Sequence, residues 1–136
     1  MRTAMIGLCA LIALPSAAQD IDLGPPLTGA EFEAYVEGRT LTYAEGGTVY
    51  GTEEYLPARK VIWAFSESEC REGRWYSQDE QICFVYEDPN DPQCWLFFKG
   101  PTGLQAQFLG LGGGDALSEV AQSQAPLRCA GPEVGV

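Results

Sequence analysis

The 136-residue chain contains no histidine. That absence removes every catalytic arrangement in which an imidazole activates a serine or cysteine. It also removes the commonest transition-metal ligand. Basic side chains are scarce as well: 8 Lys and Arg stand against 19 Asp and Glu, for a net charge of −11. A nucleic-acid-binding surface is excluded, because phosphate neutralisation needs clustered Lys and Arg. A basic protein, a cation or a neutral ligand remain as candidate partners. No apolar run approaches the roughly 20 residues of a spanning helix, so no stable membrane insertion is expected of the mature chain. A C-x-x-C pair is missing, which with the lack of histidine argues against zinc. The glycine cluster Gly110-x-Gly112-Gly113-Gly114 lacks the strand–turn–helix setting of a dinucleotide fingerprint and reads as a flexible linker. Neither a metal nor a cofactor is expected.

What is present begins with a leader. Arg2 precedes the uncharged run Ala4–Leu14, Pro15 breaks it, and Ser16-Ala17-Ala18 supplies small residues for cleavage. Residues 1–18 therefore read as a secretory signal peptide, removed after Ala18. Cys9 lies mid-run behind Ile6-Gly7-Leu8, which lacks the small residue of a lipidation site, and leaves with the leader. Losing Arg2 makes the rest more acidic still. Residues 19–136 are long enough for one domain with a modest core. Export points to the periplasm or the external medium. The four remaining cysteines, Cys70, Cys83, Cys94 and Cys129, are an even set and read as two disulfides.

Residues 19–26 form a polar, proline-ended, flexible lead-in. Thr28 and Glu31 then make a T-x-x-E capping box, with Leu27 and Phe32 as its hydrophobic staple. Phe32, Tyr35 and Val36 share one stripe and Gly38 stops the helix. A helix of about ten residues cannot stand alone in water, so it must close the end or face of a sheet. From Thr40 the period changes to two. Strands are expected at 40–43, 48–50, 60–65, 70–76, 81–86, 94–98 and 104–108. They are separated by Gly46-Gly47, an irregular 53–57, Ser66–Glu69, Ser77–Glu80, the Pro-containing 88–92 and Gly100–Gly103. Val61, Trp63 and Phe65 share a face, as do Ile82, Phe84 and Tyr86. In Leu104–Phe108 the apolar residues point in and the glutamines out. Such a series argues a mainly β, antiparallel meander, curled into a small barrel or half-barrel that hides its edges. The domain is expected to span 27–109. Residues 110–136 then carry the linker, a short helix capped by Asp115, and a loose tail stapled back by Cys129.

Loop entropy does not choose the cysteine pairing. Cys83–Cys94 with Cys70–Cys129 gives ~2.8 and ~4.3 kcal/mol, and Cys70–Cys83 with Cys94–Cys129 gives ~3.0 and ~3.8. A regular hairpin would set Cys83 opposite Phe97, so joining it to Cys94 requires the loop to fold back.

The triplet Gly73-Arg74-Trp75, the run Ile82-Cys83-Phe84 and the pair Cys94-Trp95, behind a helix of the L-T-x-x-E type, resemble a pattern in small exported bacterial proteins of unknown function. The resemblance covers roughly Leu27–Phe108. It implies a compact lipocalin-like barrel in which Cys83 and Cys94 are the shared disulfide and Cys70 and Cys129 an additional one. It brings no activity with it. In true lipocalins a G-x-W triplet opens the barrel, whereas here it lies mid-chain.

Cysteine catalysis falls away if all four thiols are oxidised. Carboxylates could still form a hydrolase acid–base pair, but Glu53-Glu54, Glu67/Glu69, Asp79-Glu80 and Asp88/Asp91 all fall in expected turns. Asp88-Pro89-Asn90-Asp91 lacks the glycine and distal glutamate of a calcium loop. Trp63, Trp75, Trp95 and Tyr86 are the candidate ligand-lining residues, in a barrel whose rings either line a cavity or fill it. The expected function is non-catalytic binding of a small apolar ligand or envelope component. The alternatives are an acidic factor that binds or inhibits a basic envelope enzyme, and a carboxylate hydrolase.

Overall fold

The computed structural model describes residues 22–66, 69–112, 114 and 116–129, so the expected signal peptide lies outside the described residues. Helix α1 (Gly29–Val36) starts where the capping box requires. The Thr28 hydroxyl accepts from the Glu31 amide at 3.2 Å, and the Glu31 carboxylate accepts from the Thr28 amide at 3.3 Å. Together they satisfy two of the orphan polar groups at the helix start. Leu27 donates its amide to the Phe97 carbonyl, and Gly38, at φ 79°, donates to that of Tyr55. Both ends of α1 are thus tied to the sheet by backbone bonds.

Eight strands follow: β1 (Thr40–Glu45), β2 (Thr48–Tyr55), β3 (Lys60–Ala64), β4 (Cys70–Gln78), β5 (Gln81–Val85), β6 (Gln93–Gly100), β7 (Gly103–Phe108) and β8 (Leu117–Ser123). They run antiparallel in chain order, and β8 returns to pair with β1, closing a lipocalin-like barrel. Closure leaves no sheet edge for another chain to extend.

Two local expectations are corrected, and the fold-back that a Cys83–Cys94 pairing requires is present. Residues 53–55 are not irregular, because β2 runs on to Tyr55. The segment expected as a short helix after Asp115 is the eighth strand, so the barrel extends past residue 109 to Ser123. Its helix-like composition is overridden because β1 and β7 each need a partner; Glu119, facing inward, had masked the period of two. Finally, Cys83 lies directly opposite Cys94, with Cα atoms 4.0 Å apart, rather than opposite Phe97. The loop folds back through Asp88, whose carboxylate accepts from the Asn90 amide and whose carbonyl accepts from the Asp91 amide. That early turn brings Gln93 level with Phe84.

The disulfides are Cys83–Cys94 and Cys70–Cys129. Oxidised pairs of this kind belong to a non-cytoplasmic compartment. The tail after β8 crosses the outer wall as a strap. Ala125 accepts from the Thr40 hydroxyl on β1, Leu127 donates to Glu54 on β2, and Cys129 ends on β4.

Helix α1 seals one end of the barrel. Phe32 is fully buried and meets Tyr55, Trp75 and Phe84 edge-on, with the Phe97 ring centroid 4.5 Å away. Beside it, buried Glu119 accepts from the Tyr35 hydroxyl, the Leu104 amide and the Gln122 side chain. A Cβ on Gly103 would collide with that carboxylate. One acidic side chain therefore locks helix, β7 and β8 together.

Candidate functional site

An eight-stranded barrel is just wide enough for side chains to fill. Here they fill the α1 end and leave a cavity of about 70 Å³ toward the other. That opposite end is framed by the β1–β2, β3–β4, β5–β6 and β7–β8 connections and carries no helix among the described residues.

The walls are built by pairing aromatic rings with glycines on the neighbouring strand. Trp63 of β3 lies across Gly51 of β2, where an added Cβ would sit 2.2 Å from the indole. Tyr86, just after β5, lies over Gly73 of β4, where a Cβ would meet its ring at 2.6 Å. This accounts for the G-x-W triplet. Gly73 and Trp75 point the same way along the strand, one making room for a ring and the other supplying one. At the mouth, Tyr50, Trp63 and Phe65 form a triangle with centroids 5.4–5.8 Å apart. Trp95 packs on Phe108, and Tyr86 stacks on Phe84.

Of the candidate ligand-lining residues, Trp63, Trp95 and Tyr86 border the cavity. Trp75 does not. It is buried beneath α1, edge-on to Phe32, with the Arg59 guanidinium 4.5 Å from its ring centroid. Arg59 in turn pairs with Glu33 at 2.9 Å, so the seal is fixed from outside as well.

The residue that sequence reading missed is Glu53. It is 2% exposed and borders the cavity from β2. The Tyr86 hydroxyl donates to its carboxylate at 3.0 and 3.1 Å from the two oxygens. Burial pushes its carboxyl up from 4.5 to about 8, against the downward pull of that hydrogen bond. Tyr86 is raised as well, first by burial and then by the Glu53 charge and hydrogen bond. Tyr43 and Tyr55 bond each other at 2.8 Å, and burial raises both hydroxyls well above the usual range. At neutral pH Glu53 is therefore mostly a neutral acid with one polar contact and spare hydrogen-bonding capacity toward the cavity. A signal for it existed. Stepping by two from Tyr55 through Glu53 to Gly51 keeps one face throughout.

The carboxylate pairs weighed as hydrolytic dyads are spread over the molecule. Glu53 and Glu54 point to opposite faces of β2, and Glu54 is bound to the strap. Asp79-Glu80 turns at the sealed end, while Asp88 and Asp91 lie in the loop beside the mouth.

Charge is distributed unevenly between the ends. Arg39, Arg59, Lys60 and Lys99 lie toward α1, mixed with acidic residues. Glu45, Glu69, Glu87, Asp88 and Asp91 sit on the connections around the mouth. There Arg71 is the basic residue bordering the cavity, over the Phe65 ring at 5.9 Å and 4.0 Å from Glu87.

No protein-family model, curated protein or solved structure matches this chain.

Proposed function

We propose that this protein is an exported, non-catalytic binding module, acting in the periplasm or the external medium, that takes a small, mainly apolar ligand through the open mouth of its barrel. The observation that carries this reading is the asymmetry of the interior: packed solid beneath α1, but hollow and aromatic-walled at the other end. The size of the hollow limits the ligand. A cavity of about 150 Å³ holds benzene, so about 70 Å³ admits one small group while the rest of the ligand lies against the mouth.

The test is tryptophan fluorescence of the oxidised protein against small apolar compounds, at low and high salt. The expected result is a saturable, salt-independent shift that persists in Trp75→Phe and is lost when Trp63 and Trp95 are both replaced by Phe. Silence toward every compound, or a shift arising from Trp75 alone, overturns the reading. A second reading, an acidic factor for a basic envelope protein, draws on the exposed apolar residues beside the acidic loops: Val49 is 62% exposed, Phe65 46% and Tyr50 40%. It predicts salt-sensitive protein binding and no response to small compounds.

A further inference from the structure

We infer that the ligand group taken at this mouth is a small organic cation, a quaternary ammonium head with one N-methyl in the hollow, held by the aromatic wall with the Glu53 carboxylate as its counter-ion. The inference rests on the binding-module reading and names the ligand class.

Three observations point the same way. The first is the buried carboxyl at the cavity wall, whose side-chain hydrogen-bond partner among the described residues is Tyr86. A buried carboxylate is costly unless an opposite charge joins it, and a cationic ligand supplies that charge. The second is the wall itself. Aromatic faces attract cations through their quadrupole, and quaternary ammonium groups are the ligands such cages recognise. This rim already holds one cation in that way, the Arg71 guanidinium over Phe65. A primary ammonium must find acceptors for all three of its N–H groups as it leaves water. A quaternary head has no such requirement. The third is the acidic collar of the mouth, which draws cations in from solution.

Proton linkage follows. Among the described residues, the titratable groups facing Glu53 are the neutral Tyr43 from β1, Tyr55 on its own strand and Tyr86 beyond β5, with the Arg71 guanidinium from β4 on the same cavity wall and Glu119 from β8 acting on Tyr43. Seating a permanent cation stabilises the ionised acid, so binding expels the Glu53 proton. Affinity therefore rises with pH until Glu53 is ionised in the free protein, and then levels off.

The experiment compares choline with its uncharged isostere 3,3-dimethylbutan-1-ol by calorimetry from pH 6 to 9.5, using the oxidised protein. Choline is expected to bind more tightly than the isostere above pH 8. Its affinity should fall about tenfold per pH unit below that point. Glu53→Gln should cost at least about tenfold at pH 9 and flatten the profile, with near-UV circular dichroism confirming the fold. Arg71→Gln removes the resident competitor and should tighten choline several-fold. Co-sedimentation with phosphatidylcholine vesicles separates the two sources of this head group: vesicle binding abolished by Glu53→Gln assigns a lipid, and choline binding without it a free solute. If the isostere matches or exceeds choline at pH 9, or the choline profile is flat, the cation inference fails while the binding-module reading stands. If no small compound binds at any pH, and vesicles do not either, both fail.

Discussion

Glu53 governs how the protein responds to pH. Its folded-state value of about 8 lies above the ordinary 4.5, so between those limits the folded chain holds a proton that the unfolded chain releases. The stability this contributes is complete below pH 4.5 and is lost as pH rises to about 8. Its size is on the order of 4–5 kcal/mol. Because the chain has no histidine, no ordinary side-chain titration hides the effect in that window. Urea denaturation should show stability falling from pH 5 to pH 8. Glu53→Gln should leave it nearly unchanged at pH 5 and raise it by several kcal/mol at pH 8; the same slope in both proteins would assign the effect elsewhere. Trp63, Trp95 and Tyr86 could be picked out from sequence because a ring at an alternating position announces itself. Glu53 had only its place in the period-two series as a signal, since beside Glu54 it looks like half of a solvated acidic turn, and its burial depends on strand register set far along the chain.

Among the elements, α1 was the most legible, because its cap is written in four consecutive residues and the structure uses both hydrogen bonds of it. Its role as a stopper follows from one side chain. Phe32→Ala should cost about 3–5 kcal/mol by chemical denaturation, since four surrounding rings lose their common contact. A loss below about 1 kcal/mol would mean that α1 merely rests on the barrel. Strand β8 was the least legible. Its sequence, LSEVAQS, places an acid where an apolar residue would mark the inner face, and the hydrogen bonds Glu119 accepts from α1, β7 and its own strand account for its position. The β5–β6 register was likewise decided by a loop turn that strand periodicity does not encode.

At the scale of the molecule, the meander was visible in the spacing of turns, and its closure followed from the cost of bare edges. What sequence does not carry is which end stays open, because that depends on where the helix lands. The two disulfides act on different parts of this frame. Replacing both Cys70 and Cys129 by Ser should cost about 4 kcal/mol, and Cys83 with Cys94 about 3, read from urea midpoints of the oxidised proteins; equal stability after loss of the strap would mean that β8 holds unaided. The ladders themselves are unequal. Six pairs join β1 to β8 and six join β6 to β7, whereas among the described residues β5–β6 has three and β7–β8 two. The three-rung ladder carries a disulfide. The two-rung ladder has no cross-link among the described residues and is supplemented by two hydrogen bonds, the Leu104 amide to Glu119 and the Ser118 hydroxyl to Gln105. The wall therefore has a line of weakest closure, and native-state breathing should start there: in deuterium exchange, amides along β7–β8 will give way before those of the β1–β2 hairpin. For a guest bulkier than the resting hollow, this short seam at Ala106 and Leu117 is where the barrel should widen, with the stopper and both cross-links still in place.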